Sequence, residues 1–286
     1  MSKALGIINF AGNHIQVDGL QKYRPVSAFS FLGRYRTIDF PISNMSNSGI
    51  DNIQVYVRRK PRSLTEHLGT GRHYNINSKR GSLNIMYTER NQIGDLYSTD
   101  IAAYIENLDC IERIPQQYVV LAPSYMIYTA DYSKFLKEHI ESGADISLMY
   151  HSVDNAKENF LNCGTLNINK QKGVLSIEPN HGTAKNRNIF MDTYVMTKEL
   201  FLELVNKAHK TSSIYTFSDI VDEECAELDI RAVPHRGYFA AITDFNSYYH
   251  ANMTLIDLKH ASDLFDPEWP IYTRTNDSCP TQYFEG

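Results

Sequence analysis

Four short apolar runs, "LGIINF", "NIQVYV", "QYVVLA" and "DISLMY", recur through the first half of the chain with helical patterns between them. Runs this short and this uniformly apolar belong to strands covered on both faces, as in a parallel sheet. Between them, "ADYSKFLKEHIESG" places Tyr132, Phe135, Leu136, His139 and Ile140 on one helical face and ends at Gly143, a C-terminal stop. "STDIAAYIENLDCI" opens on a Ser/Thr/Asp cluster suited to N-capping. Strands alternating with helices of this length predict a doubly wound, Rossmann-like α/β sheet. Later, "CGTLNINKQKGVLSIEPN" predicts a hairpin, "KELFLELVNKAHK" a helix, "IRAVPHRGYFAAI" two more strands, and Phe245 to Leu258 a further helix.

With 286 residues, the chain can form one large α/β domain or two small ones. Its 42% hydrophobic and 21% charged residues suit a folded globular protein. A net charge of -5 argues against a nucleic-acid partner, which selects a basic surface. Cys110, Cys163, Cys225 and Cys279 are widely spaced, with no Cys-x-x-Cys pair for zinc or redox chemistry. No run approaches the ~18 apolar residues of a membrane span, and "MSKALGIINF" lacks a signal-peptide core. The expectation is a cytoplasmic protein with reduced thiols and no membrane partner.

In open α/β sheets the ligand crevice lies beyond the carboxyl ends of the strands. After the first run, "FAGNHIQV" offers Ala11, Gly12 and Asn13 but no lysine, arginine or hydroxyl. Phosphate loops aim backbone N–H groups and a cation at the anion. This loop has the position of a phosphate loop without its charge. After the third run, Pro123, Ser124 and Tyr125 stand where a metal-dependent transferase places an acid, and no Asp-x-Asp occurs in the chain. "LGTGRHYN", with Gly69 and Gly71, predicts a turn, and His139 reads as a packed core histidine. Arg58, Arg59, Lys60 and Arg62 join Lys22, Arg24, Arg34 and Arg36 in a basic N-terminal region of an acidic protein. That asymmetry fits either solvated surface or an anion site.

The block "GRYRTIDFPISNMSNSGIDNIQV", from Gly33 to Val55, closely resembles the G-[KR]-[YF]-R-x-I-D-F-x-[LI]-S-N-x-x-N-S-G-I block of glucose-1-phosphate adenylyltransferases, the ADP-glucose pyrophosphorylases. The resemblance continues through "ENLDCI", "YVVLAPSYMIYTADYS", "YYHANMTLIDL" and "WPIYT", and so covers essentially the whole chain. It implies a Rossmann-like, GT-A-like nucleotidyltransferase domain with a mixed, mostly parallel sheet over residues 1–262. Residues 263–286 would be a linker towards a C-terminal left-handed β-helix domain absent from this chain.

The departures from the family pattern are systematic. Its G-G-x-G-[ST]-R-L signature falls on Ala11 to Val17, so the catalytic arginine position is Gln16. The lysine of [AS]-K-P falls on Val26, and the two metal carboxylates fall on Tyr125 and Ala241. The sugar-phosphate lysine has no counterpart in "SIEPN". The resemblance leaves a substrate-like pocket of Gly12, Asn13, Thr99, Asp100, Tyr194, Phe217 and Phe239, and effector or anion candidates Arg24, Arg34 and Arg36. Arg36, Asp39, Asn44, Asn47 and Gly49 survive as structural positions. Such a chain is similar to GlgD-type regulatory subunits. These would bind no metal or cofactor alone and would work in a heterotetramer with a catalytic paralogue that carries the Mg²⁺ and ATP. Two alternatives remain at this point: a slow nucleotidyltransferase using Asp95, Asp100, Asp192 or Asp244 as replacement acids, and a stand-alone sugar-phosphate or nucleotide sensor.

Overall fold

The computed structural model describes residues 3–76, 79, 81–88 and 97–274. In chain order the strands are β1 (Ala4–Asn9), the short pair β2 (Ser30–Phe31) and β3 (Tyr35–Arg36), β4 (Asn52–Val57), β5 (Ser82–Tyr87), β6 (Tyr118–Pro123), β7 (Met126–Tyr128), β8 (Ile146–Val153), β9 (Gly164–Ile168), β10 (Val174–Pro179), β11 (Arg187–Thr197), β12 (Ile230–Pro234) and β13 (Phe239–Ala241). Nine of them form one mixed sheet. Strands β5, β4, β1 and β6 lie side by side and all parallel. β11 then runs antiparallel between β6 and β8, and β12 lies parallel beside β8. The expected α/β architecture with a parallel core is present.

The uniformly apolar runs have a simple cause. In β1, Ala4 and Ile8 face one hydrophobic core while Leu5 and Ile7 face the other; in β6, Val120 and Ala122 alternate with Val119 and Leu121 in the same way. Both faces of these strands are covered, so neither can be polar. At Gly6 an added Cβ would come within 2.4 Å of Met45 Sδ, so the glycine lets the helix Asp39–Asn47 sit close against β1.

The helix Tyr132–Ser142 is N-capped by Asp131, which accepts from Ser133 N and Lys134 N, and stops at Gly143 with φ +69°. Its buried face is Tyr132, Phe135 and His139; Ile140, expected on that face, is 40% exposed. The four-residue step from Leu136 carries Ile140 round to the rim of the stripe. His139 is buried, with Nδ1 2.9 Å from Ser147 Oγ, a satisfied core histidine as read from the sequence. Two expected helices are broken. The first runs Asp100–Glu106, pauses at Asn107 and resumes over Leu108–Glu112. The second divides into Phe245–Thr254 and Leu258–Leu264, the latter capped by Asp257.

The start of the expected linker is anchored on the domain. Trp269 Nε1 donates to Asn44 Oδ1 at 3.1 Å, Asn47 Nδ2 to Pro270 O at 3.0 Å, and Tyr272 N to Ser43 Oγ at 2.9 Å. Leu264 and Ile271 are buried. Residues 275–286, with Cys279, lie outside the described residues, as does Asp95.

Candidate active-site crevice

A crevice of about 480 Å³ opens beyond the carboxyl ends of β1 and β6, where a ligand site belongs in this architecture. One wall is the loop after β1, with Gly12, Asn13 and His14. The opposite wall is the β9–β10 hairpin, which contributes Gly164, Ile177 and Glu178. The hairpin reaches this place because Ile189 of β11 pairs with Thr165 on the β6 side, beyond the last paired residue of β6.

Asp100 holds three elements together at the crevice wall. Its Oδ1 accepts from Ile101 N at 2.9 Å and from Phe217 N at 3.0 Å, and its Oδ2 accepts from Asn9 Nδ2 at 2.9 Å. The carboxylate thereby ties the end of β1 to the N-termini of the helices Asp100–Glu106 and Phe217–Glu223. Burial pushes its pKa up to about 6, against the pull of those three donors. Beside it, Tyr194 and Phe217 are buried and meet edge-to-face, with centroids 5.3 Å apart. Thr99 caps the helix by accepting from Ala102 N.

Tyr125 and Asp192 form the centre. β11 carries a bulge between Phe190 and Thr193, and Asp192 within it has φ +44°. A bulge re-aims a side chain, and here the Asp192 carboxylate accepts a hydrogen bond from Tyr125 Oη. Burial raises the pKa of Asp192, opposed by that hydrogen bond and by His14. Burial, with the nearby Asp192 charge, holds the Tyr125 phenol well above the usual range, so it stays protonated. The His14 ring lies edge-on to Tyr125 at 6.5 Å. The β7–β13 pair then sets Ala241 opposite Met126, while Ile242 N donates to Tyr125 O at 2.9 Å. Tyr125 and Ala241, remote in sequence, are thus neighbours. Among the described residues, no group of three or more His, Cys, Asp or Glu is arranged to hold a metal ion.

Against this geometry the comparisons are direct. The nucleotidyl transferase family profile matches residues 6–257. The chain belongs to the nucleotidyl transferase family. It is 29% identical over 283 residues to a glucose-1-phosphate adenylyltransferase of Clostridium novyi, covering 98% of this chain and 73% of that one. It is 30% identical to the Clostridioides difficile protein of the same name over 90% of this chain and 67% of that one. Identity to the glycogen biosynthesis protein GlgD of Bacillus subtilis is 27%, covering 99% and 72%. A solved Bacillus anthracis structure, provisionally named a glucose-1-phosphate thymidylyltransferase, shares the fold with a TM-score of 0.71 at 15% identity, covering 93% of this chain and 98% of that one. The chain is therefore related to glucose-1-phosphate adenylyltransferase and GlgD of glycogen biosynthesis.

Within this family fold the expected pocket residues divide. Gly12, Asn13, Thr99, Asp100, Tyr194 and Phe217 all line the crevice. Phe239 does not. Its ring stacks on Phe160 at 5.4 Å and lies 5.1 Å from His151, beside a separate depression. Gln16 and Val26 line a second cavity next to the crevice, together with Arg24. Arg36 donates from Nη1 to Ala28 O at 2.9 Å, while its backbone N–H binds Asp39 Oδ2 at 2.8 Å. Arg34 lies over the Tyr35 ring at 5.5 Å. Of the three arginines, Arg24 lines this cavity with Arg58, Arg59 and Lys60. Asp192 was legible only as a candidate replacement acid, and Asp100 as such an acid and a pocket residue; their contacts with Tyr125 and Asn9 were not legible. The one available signal was an acid inside the apolar run "NIFMDTYVMT".

No helix among the described residues is long and apolar enough to cross a membrane.

Proposed function

We propose that the chain is a regulatory, catalytically impaired subunit of glucose-1-phosphate adenylyltransferase, acting in the cytoplasm with a catalytic paralogue in a hetero-oligomer. The observation that carries this reading is the Tyr125–Asp192 hydrogen bond at the centre of the crevice, with Ala241 alongside.

Nucleotidyl transfer brings a sugar phosphate against the α-phosphate of a nucleoside triphosphate and expels pyrophosphate. Both reactants are anions, so metal and side-chain cations must neutralise charge as the in-line transition state forms. The groups that stand here do not fit that task. A phenol that stays protonated and a methyl group offer a divalent ion no anionic ligand, and the nearest carboxylate already accepts from the phenol. The other two described candidate acids are engaged as well: Asp100 by its three donors, and Asp244 as the cap of the helix Phe245–Thr254, accepting from Ser247 N at 2.7 Å. The lost cations at Gln16 and Val26 belong to the same deficit.

The purified chain, given ATP, glucose 1-phosphate and Mg²⁺, should release pyrophosphate no faster than a blank. Tyr125→Asp, alone or with Ala241→Asp, should not restore turnover, because groups that act as a unit are strongly non-additive. Robust Mg²⁺-dependent pyrophosphate release by the unaltered chain would sink this reading.

A further inference from the structure

The depression beside Phe239 has a volume of about 660 Å³ and shares no lining residue with the crevice. It is built on the end of β8, the start of β11 and the loop that leaves β8. That loop is fixed from below. Asn180, which is buried, donates from Nδ2 to Ala156 O at 2.8 Å, Asn159 O at 3.1 Å and Phe160 O at 3.0 Å. Phe160 is held at φ +57°, a left-handed conformation that a bulky residue keeps only where its surroundings impose it. Its ring lines the depression together with Phe239.

The tautomers of two histidines follow from their partners. His235 Nε2 lies 3.0 Å from Thr129 O, and a carbonyl only accepts, so this nitrogen carries a proton. Burial pushes the His235 pKa down to about 4, so near neutral pH its ring holds no second proton and Nδ1 is bare. His151 Nδ1, 3.0 Å away, then donates to it. Burial lowers the His151 pKa as well, against the pull of His235. A neutral His151 with its proton on Nδ1 has a bare Nε2. That nitrogen has no hydrogen-bond partner among the described residues, and its ring lines the depression.

The other polar lining groups are amides and one charge of each sign. Ser152 Oγ donates to Asn188 Oδ1 at 2.9 Å, which fixes that amide and leaves its Nδ2 to donate outward. Asn155 and Asn186 add two exposed amides. Asp154 faces Arg187, whose Nη2 donates to Thr183 Oγ1 at 3.0 Å. Balanced charge gives no net attraction for an anion or a cation. Amides, a bare imidazole nitrogen and an aromatic ring suit a ligand with closely spaced hydroxyls and an apolar C–H face. We propose that this depression binds a neutral pyranose, with one hydroxyl donating to His151 Nε2, neighbouring hydroxyls accepting from Asn188 and Arg187, and a C–H face laid against Phe160. A free sugar and a pyranose within a longer chain share this chemistry. A chain that proved to be a slow enzyme would carry the same depression, so the site stands apart from the regulatory reading.

The test is titration of the full chain, labelled with nitrogen-15, with methyl α-glucoside, maltotriose and glucose 1-phosphate, followed through the histidine ring resonances. The free chain should show His151 as the Nδ1–H tautomer, and the two uncharged sugars should shift its Nε2 resonance saturably. Glucose 1-phosphate should shift that resonance with no greater affinity than methyl α-glucoside. Calorimetry then reads the variants. His151→Phe, which removes the acceptor, and Phe160→Ala should each weaken sugar binding about tenfold, the scale of one good contact. Circular dichroism checks that both fold, and His151→Gln, whose amide oxygen reaches the place of Nε2, should keep most of the affinity. Maltotriose binding more tightly than methyl α-glucoside assigns the site to a sugar chain; equal or weaker binding assigns it to the free sugar. The Nε2–H tautomer in the free chain, no saturable shift at high millimolar sugar, tighter binding of glucose 1-phosphate at His151, or affinity unchanged in both His151→Phe and Phe160→Ala would overturn the proposal.

Discussion

Asp39→Ala should destabilise the chain by about 3–5 kcal/mol, the cost of removing one member of a buried, charge-assisted network. Asp39 is fully buried at the start of the helix Asp39–Asn47. It accepts from Arg36 N at 2.8 Å, from His67 Nε2 at 2.6 Å and from Tyr74 Oη at 2.6 Å. Alanine leaves the Tyr74 hydroxyl, itself fully buried, without an acceptor, and leaves the backbone N–H at the helix entry unpaired. The same helix supports Trp269 through Asn44 and Pro270 through Asn47, so the loss should spread to the anchored segment. Thermal unfolding should show a fall in Tm on the order of 10 °C, and Asp39→Asn, which keeps one acceptor oxygen, should lose less. A variant within about 1 kcal/mol of the original would show that the three contacts contribute little to stability.

Asp100 should make stability depend on pH in the direction opposite to most carboxylates. Its folded pKa is about 6, against an ordinary value of 3.8, because burial disfavours the charged form. Between those values the folded state holds a proton that the unfolded state has released. Stability therefore falls as pH rises from about 4 to 6. A shift of this size corresponds to about 3 kcal/mol for this one group. Asp100→Asn removes the titration, so the stability difference between variant and original should change by about that amount between pH 4 and 7, in favour of the variant at the higher pH. Denaturant titrations at four or five pH values measure it. A difference that stays flat with pH would mean that the carboxylate is solvated in the folded chain.

Much of the fold was legible because its information is local. "NIQVYV" coincides with β4, and the other three runs fall within a residue or two of β1, β6 and the start of β8. Each reads as apolar on both faces, and each is covered on both. The cap and stop of the helix Tyr132–Ser142 are likewise carried by Asp131 and Gly143 themselves. β11, the strand that joins the parallel core to β8, was not legible. Asp192 interrupts its apolar run, and only the register shift between Phe190 and Thr193 explains how an acid fits there. The crevice shows the same division. That Tyr125 and Ala241 stand at altered positions follows from the family resemblance. That they are neighbours depends on the β7–β13 pairing, and that Asp192 closes onto Tyr125 depends on the bulge. Both contacts join residues far apart in the chain, where no local pattern reports them. Phe239 shows the limit of carrying a motif across: its position is retained in order along the chain, yet its ring serves the packing of Phe160 and His151.

On the proposed function, this chain contributes to adenylyl transfer through a partner while its own crevice stays inactive. Co-expression with the paralogous catalytic subunit, followed by measurement of ADP-glucose synthesis for each chain alone and for the two together, tests it most directly. Background activity is expected for this chain, measurable activity for the paralogue, and a co-purifying complex whose rate or effector response exceeds that of the paralogue alone. Two chains that purify separately and give only the paralogue's own rate when mixed would contradict it.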